Sequence, residues 1–340
     1  MTVLEEPTAE VEHGESVAPR PVRSVPVPGD RAFLGLSRAG GTAVLVVFSA
    51  IGLFLAIRGA QAIAEAKLSF FTTQAWEPDT HHFGIAGVLT GTVLIALVAV
   101  TISLPIALGL SLFISEIAPA KIRRTLISMV DLMAAVPSVV YGLWGLFFLQ
   151  GHALSVSRWI STWFGWIPIF HVAGAQPTNP LASASVYSAS TFIVGLVVSL
   201  MVIPIQCSIM RESFSQAPAG EREGAYALGA TRWGMIRSVV LPFGRGGIIG
   251  GTMLGLGRAL GETIAVILII SPIYRINLHI LGSGGQSVSA LIALLQGDSS
   301  GFGISALMAA GLTLFALTLV VNLTASAIVA RSRSGAESEV

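Results

Sequence analysis

The sequence predicts an all-α integral membrane protein with six transmembrane helices. Of 340 residues, 53% are hydrophobic and only 11% are charged, against about 25% charged in a soluble domain. Mean hydropathy is +0.79. Apolar stretches near the ~20 residues that a helix needs to cross a bilayer recur six times along the chain. Net charge is +1, which argues neither for nor against nucleic acid as a partner.

Residues 1–38 read as a polar, disordered, cytoplasmic tail. The first 30 hold five glutamates and five prolines, without the basic start and apolar core of a signal peptide. Residues 39–330 form the membrane domain and 331–340 a cytoplasmic C-terminal tail. The first span is predicted at Ala39 to Ile57, bracketed by Arg38 and Arg58. The second lies within Phe83 to Ser115, with Pro105 as a kink. The third runs from about Asp131 to Gln150, the fourth from Val186 to Met210, the fifth from Gly246 to Ile270, and the sixth from Gly303 to Ala330.

Lys and Arg placement sets the orientation. With the N-terminus in the cytoplasm, fourteen basic residues fall on the inside and four on the outside (Arg58, Lys67, Arg158, Arg275). Both termini are therefore expected in the cytoplasm, together with the loop at 213–243. Arg258 is the basic residue left within a span. Glu116 and Asp131 lie near inner span ends and read as interfacial.

Two outer segments are long. Residues 151–185 carry Trp159, Trp163 and Trp166 at a spacing that gives one aromatic face on a helix. That face reads as an interfacial anchor or as a docking surface for an external partner. The segment Ser271 to Phe302 contains a short apolar helix, Val288 to Leu295, re-entrant or interfacial.

The inner loop is unlike a lipid-facing segment. Glu223 to Leu228 suits a helix, Gly229 suits the left-handed residue that ends one, and Thr231 suits the cap of the next. Leu241-Pro242 leads into the following span. Small residues Gly224 and Ala225 permit close docking into a groove on another protein. The alternative is a solvated connection, but the loop keeps Ala, Leu, Trp, Met and Ile at helical spacing.

In the fifth span, Gly247, Gly251 and Gly255 repeat every four residues, a face suited to close helix packing. The stretch Gly255 to Gly261 lacks the spacing and preceding strand of a dinucleotide loop. Arg258 and Glu262 follow, expected four apart on one helical face. Charge within a bilayer costs roughly 3 kcal/mol per group on insertion scales. The two groups neutralise each other as an ion pair, or Arg258 offers its planar donor fork to an oxyanion while Glu262 steadies it or accepts a proton-bearing oxygen. The readings are compatible.

Some chemistry is excluded. Neither Lys67 nor Lys121 follows a glycine, so there is no GxxxxGK[ST] phosphate loop. Cys207 is the sole cysteine, and no Cys/His cluster has metal spacing. His81-His82 beside Asp79 read as a solvated turn. No nucleophile–base pair suggests an enzyme, and no cofactor is expected.

The pattern Glu223-Gly224-Ala225, Gly229 and Leu241-Pro242 resembles the EAA loop of ABC importer permeases, with Gly224 where alanine is usual. Pro137 to Phe147 and Gly257-Arg258-Ala259-Leu260-Gly261-Glu262-Thr263 are similar to the inner-membrane permeases of the high-affinity phosphate importer, the PstC branch more than its PstA sister. The resemblance spans roughly residues 40–330. It implies a type I ABC importer permease fold in the inner (plasma) membrane and a role in phosphate transport. It also implies as partners a PstA-like permease, a cytoplasmic PstB-like ATPase dimer that hydrolyses the ATP, and an extracytoplasmic PstS-like phosphate-binding protein. A sulfate or molybdate permease, or a secondary transporter or channel without an ATPase, are the alternatives.

Overall fold

Apolar periodicity without a preferred polar face gives helices buried in lipid or in one another, and the protein is built almost wholly of such helices. The computed structural model describes residues 28–175, 184–299 and 301–333. The tails at 1–27 and 334–340 lie outside the described residues. By contacts the chain forms two units, Met1–Ile51 and Gly52–Val340.

Helix α1 runs Pro28–Ala66, so it includes residues 28–38 that the sequence assigned to the tail. Proline at its first position is pre-set for a helix start and lacks only an N–H that would have no partner there. The part of α1 within the first unit is exposed throughout its described side chains. In the second unit, Ser305 Oγ donates to Arg58 O (2.8 Å) and accepts from Ala62 N (3.3 Å).

A short hairpin follows, β1 (Trp76–Glu77) antiparallel to β2 (His82–Phe83). Helix α2 is Ala86–Leu112, with Pro105 inside it, and ends in a π turn at Phe113–Ile117. Helix α3, Ala120–Ala135, is amphipathic and mostly exposed.

The third span differs from its expected bounds. Val136 is extended, as the residue before a proline tends to be, so α3 stops there. The span starts at Ser138 as α4 (Ser138–Trp144), opens into a π turn at Gly145–Leu149 and continues as α5 (Gln150–Phe164). Trp159 and Trp163 therefore sit on the end of a spanning helix, and Trp166 lies beyond it. The separate interfacial helix expected over these tryptophans is replaced by a longer span.

Helix α6, Thr191–Ser215, is the most buried. Its N-terminus is capped by Ser190, whose side chain accepts from Ile193 N. After it come α7 (Ala219–Ala227), α8 (Arg232–Met235), a π turn at Ile236–Val240, and α9 (Leu241–Phe243). Helix α10 is Arg245–Leu260 and α11 is Ile264–Ile269. Helix α12 occupies Val288–Leu295 behind a Ser287 cap, and α13 runs Gly301–Arg333.

Among the described residues five helices are long and apolar enough to span a membrane, and a sixth span forms if Arg232–Phe243 and Arg245–Leu260, bent by 66°, are taken together. The fifth span predicted as one helix over 246–270 is thus broken at Gly261–Thr263, and the bend at Gly244 falls just before its predicted start.

The core centres on α2, α6 and α10. A Cβ on Gly255 would lie 2.6 Å from Val202 Cγ1, one on Gly251 would lie 3.2 Å from Gln206 O, and one on Gly247 would overlap Ser213. All three glycines lie on one face of α10, and their missing side chains let it approach the α6 backbone.

Candidate functional site: a broken span and an ordered inner loop

Arg258 and Glu262 do not share a helix. Helix α10 ends at Leu260, and Glu262 lies in the break before α11. The expected helical pair therefore does not form. Among the described residues Arg258 makes no ion pair or hydrogen bond. The physical reason is the second use of Glu262. Its Oε1 accepts from Ala265 N at 3.2 Å, capping α11, and its carbonyl accepts from Ser289 Oγ at 2.7 Å.

Short helix α12 is thereby tied to the break. Its own start is fixed by Thr92 of α2, whose Oγ1 accepts from Val288 N at 2.9 Å. Ser287 Oγ accepts from Ala290 N. The break is thus held from two sides, as irregular backbone at membrane depth requires.

Arg258 and Glu262 still share a lining. They line one cavity of about 630 Å³ with Leu254, Gly257, Thr318 and Asn322. Glu262 is 7% exposed, while Arg258 projects from α10 into accessible space. An exposed guanidinium that makes no hydrogen bond or ion pair among the described residues, in an open cleft on apolar helices near Tyr141, is free to meet an anion. Its donor fork matches a tetrahedral or planar oxyanion.

The inner loop is ordered by local chemistry. Helix α7 closes with two backbone bonds, Ala230 N to Ala225 O (3.0 Å) and Gly229 N to Tyr226 O (2.9 Å). That pair is the Schellman motif, and it requires a left-handed residue; Gly229 has φ +84°. Thr231 then caps α8, its Oγ1 accepting from Gly234 N at 3.1 Å. Glu223 and Gly224 are exposed and Ala225 is half-buried. Beside them Tyr226, Leu228 and Trp233 are exposed too, Leu228 at 91%. Leu241 and Pro242 form α9 just before the Gly244 bend.

One charged contact escaped the sequence reading. Arg222 of α7 donates from Nη1 to Glu116 Oε2 at 3.1 Å and from Nη2 to Phe214 O at 2.6 Å. Glu116, read as interfacial, has only 3% of its side chain exposed. The partners are 106 residues apart, and no helical spacing links them. The usable signal was a lone acid at the end of an otherwise charge-free span.

Comparison with known proteins agrees with this architecture. The family described as "Binding-protein-dependent transport system inner membrane component" matches residues 107–334. The "Phosphate transport system permease protein PstC 2" of Mycobacterium tuberculosis is 36% identical over 304 residues, covering 88% of this chain and 91% of that protein. The "Phosphate transport system permease protein PstC" of Mesorhizobium japonicum is 33% identical over 310 residues, covering 90% and 92%. That of Haemophilus influenzae is 35% identical over 283 residues, covering 82% and 86%. Among solved structures, a chain of a bacterial ABC transporter involved in the import of the acidic polysaccharide alginate shares the fold. Its TM-score is 0.56 at 19% identity, with 89% of this chain and 98% of that one covered. A multi-pass helical chain with this loop, this fold and these relatives belongs to the family of binding-protein-dependent transport system inner membrane components.

Proposed function

We propose that this chain is a PstC-type permease, one half of the membrane pathway through which an ATP-driven importer moves inorganic phosphate into the cytoplasm. The observation that carries this reading is the likeness to PstC permeases over most of the chain. Arg258, unpaired at a break in a span, supplies the matching chemistry.

Phosphate that leaves water for this cavity loses hydration, and Arg258 replaces part of it with charge-assisted hydrogen bonds. A single guanidinium is enough to admit the ion without trapping it, and conduction needs such weak intermediate sites. Glu262 sets the opposite tendency. With Oε1 engaged by the α11 cap, its other oxygen accepts from a protonated phosphate oxygen and repels a fully deprotonated dianion such as sulfate.

Motion enters at the other end. Glu223, Gly224, Ala225, Gly229, Leu241 and Pro242 belong to the ordered inner loop, whose exposed Tyr226, Leu228 and Trp233 suit a soluble protein's groove. A cytoplasmic PstB-like ATPase dimer is the partner, since the chain has no phosphate loop of its own. A PstA-like permease completes the pathway, and a PstS-like binding protein delivers phosphate from outside. Both termini are cytoplasmic under the charge distribution. Closure of the ATPases rocks the two permeases about the site.

Radiolabelled phosphate uptake by vesicles carrying the full complex tests this, with and without ATP, against excess sulfate and molybdate. ATP-dependent uptake that only phosphate competes away is expected. Competition by sulfate or molybdate makes the chain a permease for another oxyanion, and uptake without ATP makes it a secondary transporter or channel.

A further inference from the structure

Below Arg258, two more cavities continue the first. A cavity of about 560 Å³ lies between α10 and α13 and shares Leu254 and Asn322 with the Arg258 cavity. A third, of about 630 Å³, shares Gly250 and Val329 with the second and reaches the end of α6. Each is open along one side and, at water's share of about 30 Å³ per molecule, roomy enough to admit a hydrated ion.

The far end carries a second guanidinium, Arg211. Among the described residues it makes no hydrogen bond or ion pair. Its neighbour Glu212 accepts from Gln216 Nε2 at 3.3 Å on the same helix. The walls between the two arginines carry Asn322, Ser326, Ser208 and Ser213, while Gly246, Gly247 and Gly250 keep side chains out of the floor. From Gly247 to Arg258 the rise along α10 is about 16 Å, close to half of the ~30 Å apolar bilayer. At membrane depth a cation such as Arg258 faces protein or a wet cavity rather than lipid, and Arg211 stands at the inner end of the same run of polar side chains.

We infer that these cavities form one groove, the inward half of the route, and that Arg211 receives the oxyanion from Arg258 and holds it at the cytoplasmic mouth. This rests on the transport reading above. A second cation at the exit lowers the barrier to leaving the first without deepening either site. The recognised chemistry is a phosphate group, which a lipid phosphodiester also presents.

Two measurements on the full complex test the inference: phosphate uptake in right-side-out vesicles loaded with ATP, and thiol labelling in inside-out vesicles, where the cytoplasmic face is accessible. Arg211→Gln is expected to lower ATP-dependent phosphate uptake about tenfold, the scale of one lost charge-assisted contact, with assembly and ATPase stimulation retained and Arg211→Lys recovering most of the uptake. In parallel, Ser326→Cys is labelled with an anionic or a cationic methanethiosulfonate; Cys207, the only native thiol, is buried. The anionic reagent should react faster, inorganic phosphate should slow it, and Arg211→Gln should erase the preference. Equal rates for both reagents, or native uptake by Arg211→Gln, overturn the groove while leaving the transport reading intact. A native complex without phosphate uptake overturns that reading instead. If labelling follows lipid headgroup composition and ignores inorganic phosphate, the groove holds lipid and the inference falls. Should Arg211→Gln fail to assemble, the charge preference and phosphate protection of Ser326→Cys alone decide.

Discussion

Arg222 and Glu116 form a largely buried ion pair, 3.1 Å between Nη1 and Oε2, that ties the inner loop to the end of α2. The same guanidinium holds Phe214 O at the end of α6. One side chain therefore joins α7 to two core helices. Removing one partner of such a pair leaves a buried charge, at a cost of about 3–5 kcal/mol. Arg222→Met should lower the thermal stability of the purified complex sharply. The double variant Arg222→Met with Glu116→Gln should recover much of the loss. A double-mutant cycle without coupling would show that the contact contributes nothing.

Gly229 ends α7 with φ +84°. A β-branched residue there meets the left-handed penalty, roughly 1–2 kcal/mol, and the cap is lost. Gly229→Val should weaken co-purification of the ATPase or its stimulation by loaded binding protein, and Gly229→Asn should do so less. Intact co-purification and stimulation in Gly229→Val would remove this turn from the docking surface.

Arg258 is expected to be needed for transport and not for folding, since it makes no hydrogen bond or ion pair among the described residues. Arg258→Ala should abolish phosphate uptake while the complex still assembles. Arg258→Lys, which keeps charge but not the planar fork, should fall between. Native uptake by Arg258→Ala would end its role as an oxyanion site.

Glu262 has two separable functions. Glu262→Gln keeps an oxygen for Ala265 N, so α11 stays capped while the charge is gone; Glu262→Ala loses both, with roughly 1 kcal/mol for the cap. Glu262→Gln should therefore fold normally and change the preference for phosphate over sulfate in competition uptake. Unchanged preference in a stable Gln variant would confine Glu262 to capping.

Gly255 lies against Val202 and Gln206. Gly255→Val has no room there, and overpacking costs about 1–3 kcal/mol. Reduced yield and a lower melting temperature of the complex are expected. A fully stable variant would mean that α10 and α6 can part.

Much of this was legible from local rules. Gly229 and Thr231 act through neighbours three to five residues away, so sequence spacing located the loop's turn directly, and the apolar run from Val288 to Leu295 located α12. The glycine face of α10 followed from a four-residue repeat. What failed depended on longer relations. The third span moved because Pro137 outweighed apolar composition. Arg258 and Glu262 parted because Ser289, 27 residues on, and the α11 backbone both draw on Glu262. The Arg222–Glu116 contact joins segments whose adjacency only tertiary packing creates.

The bend at Gly244 carries a mechanical consequence. From that bend Arg258 sits about 21 Å along α10 at 1.5 Å per residue. A swing of about 10° would carry the guanidinium almost 4 Å, more than a hydrogen-bond length. The ring braced against Gly244 belongs to Phe214, whose carbonyl Arg222 grips. Under the proposed function, a modest tilt of the loop's first helix would reach the fulcrum through one residue and be amplified at Arg258.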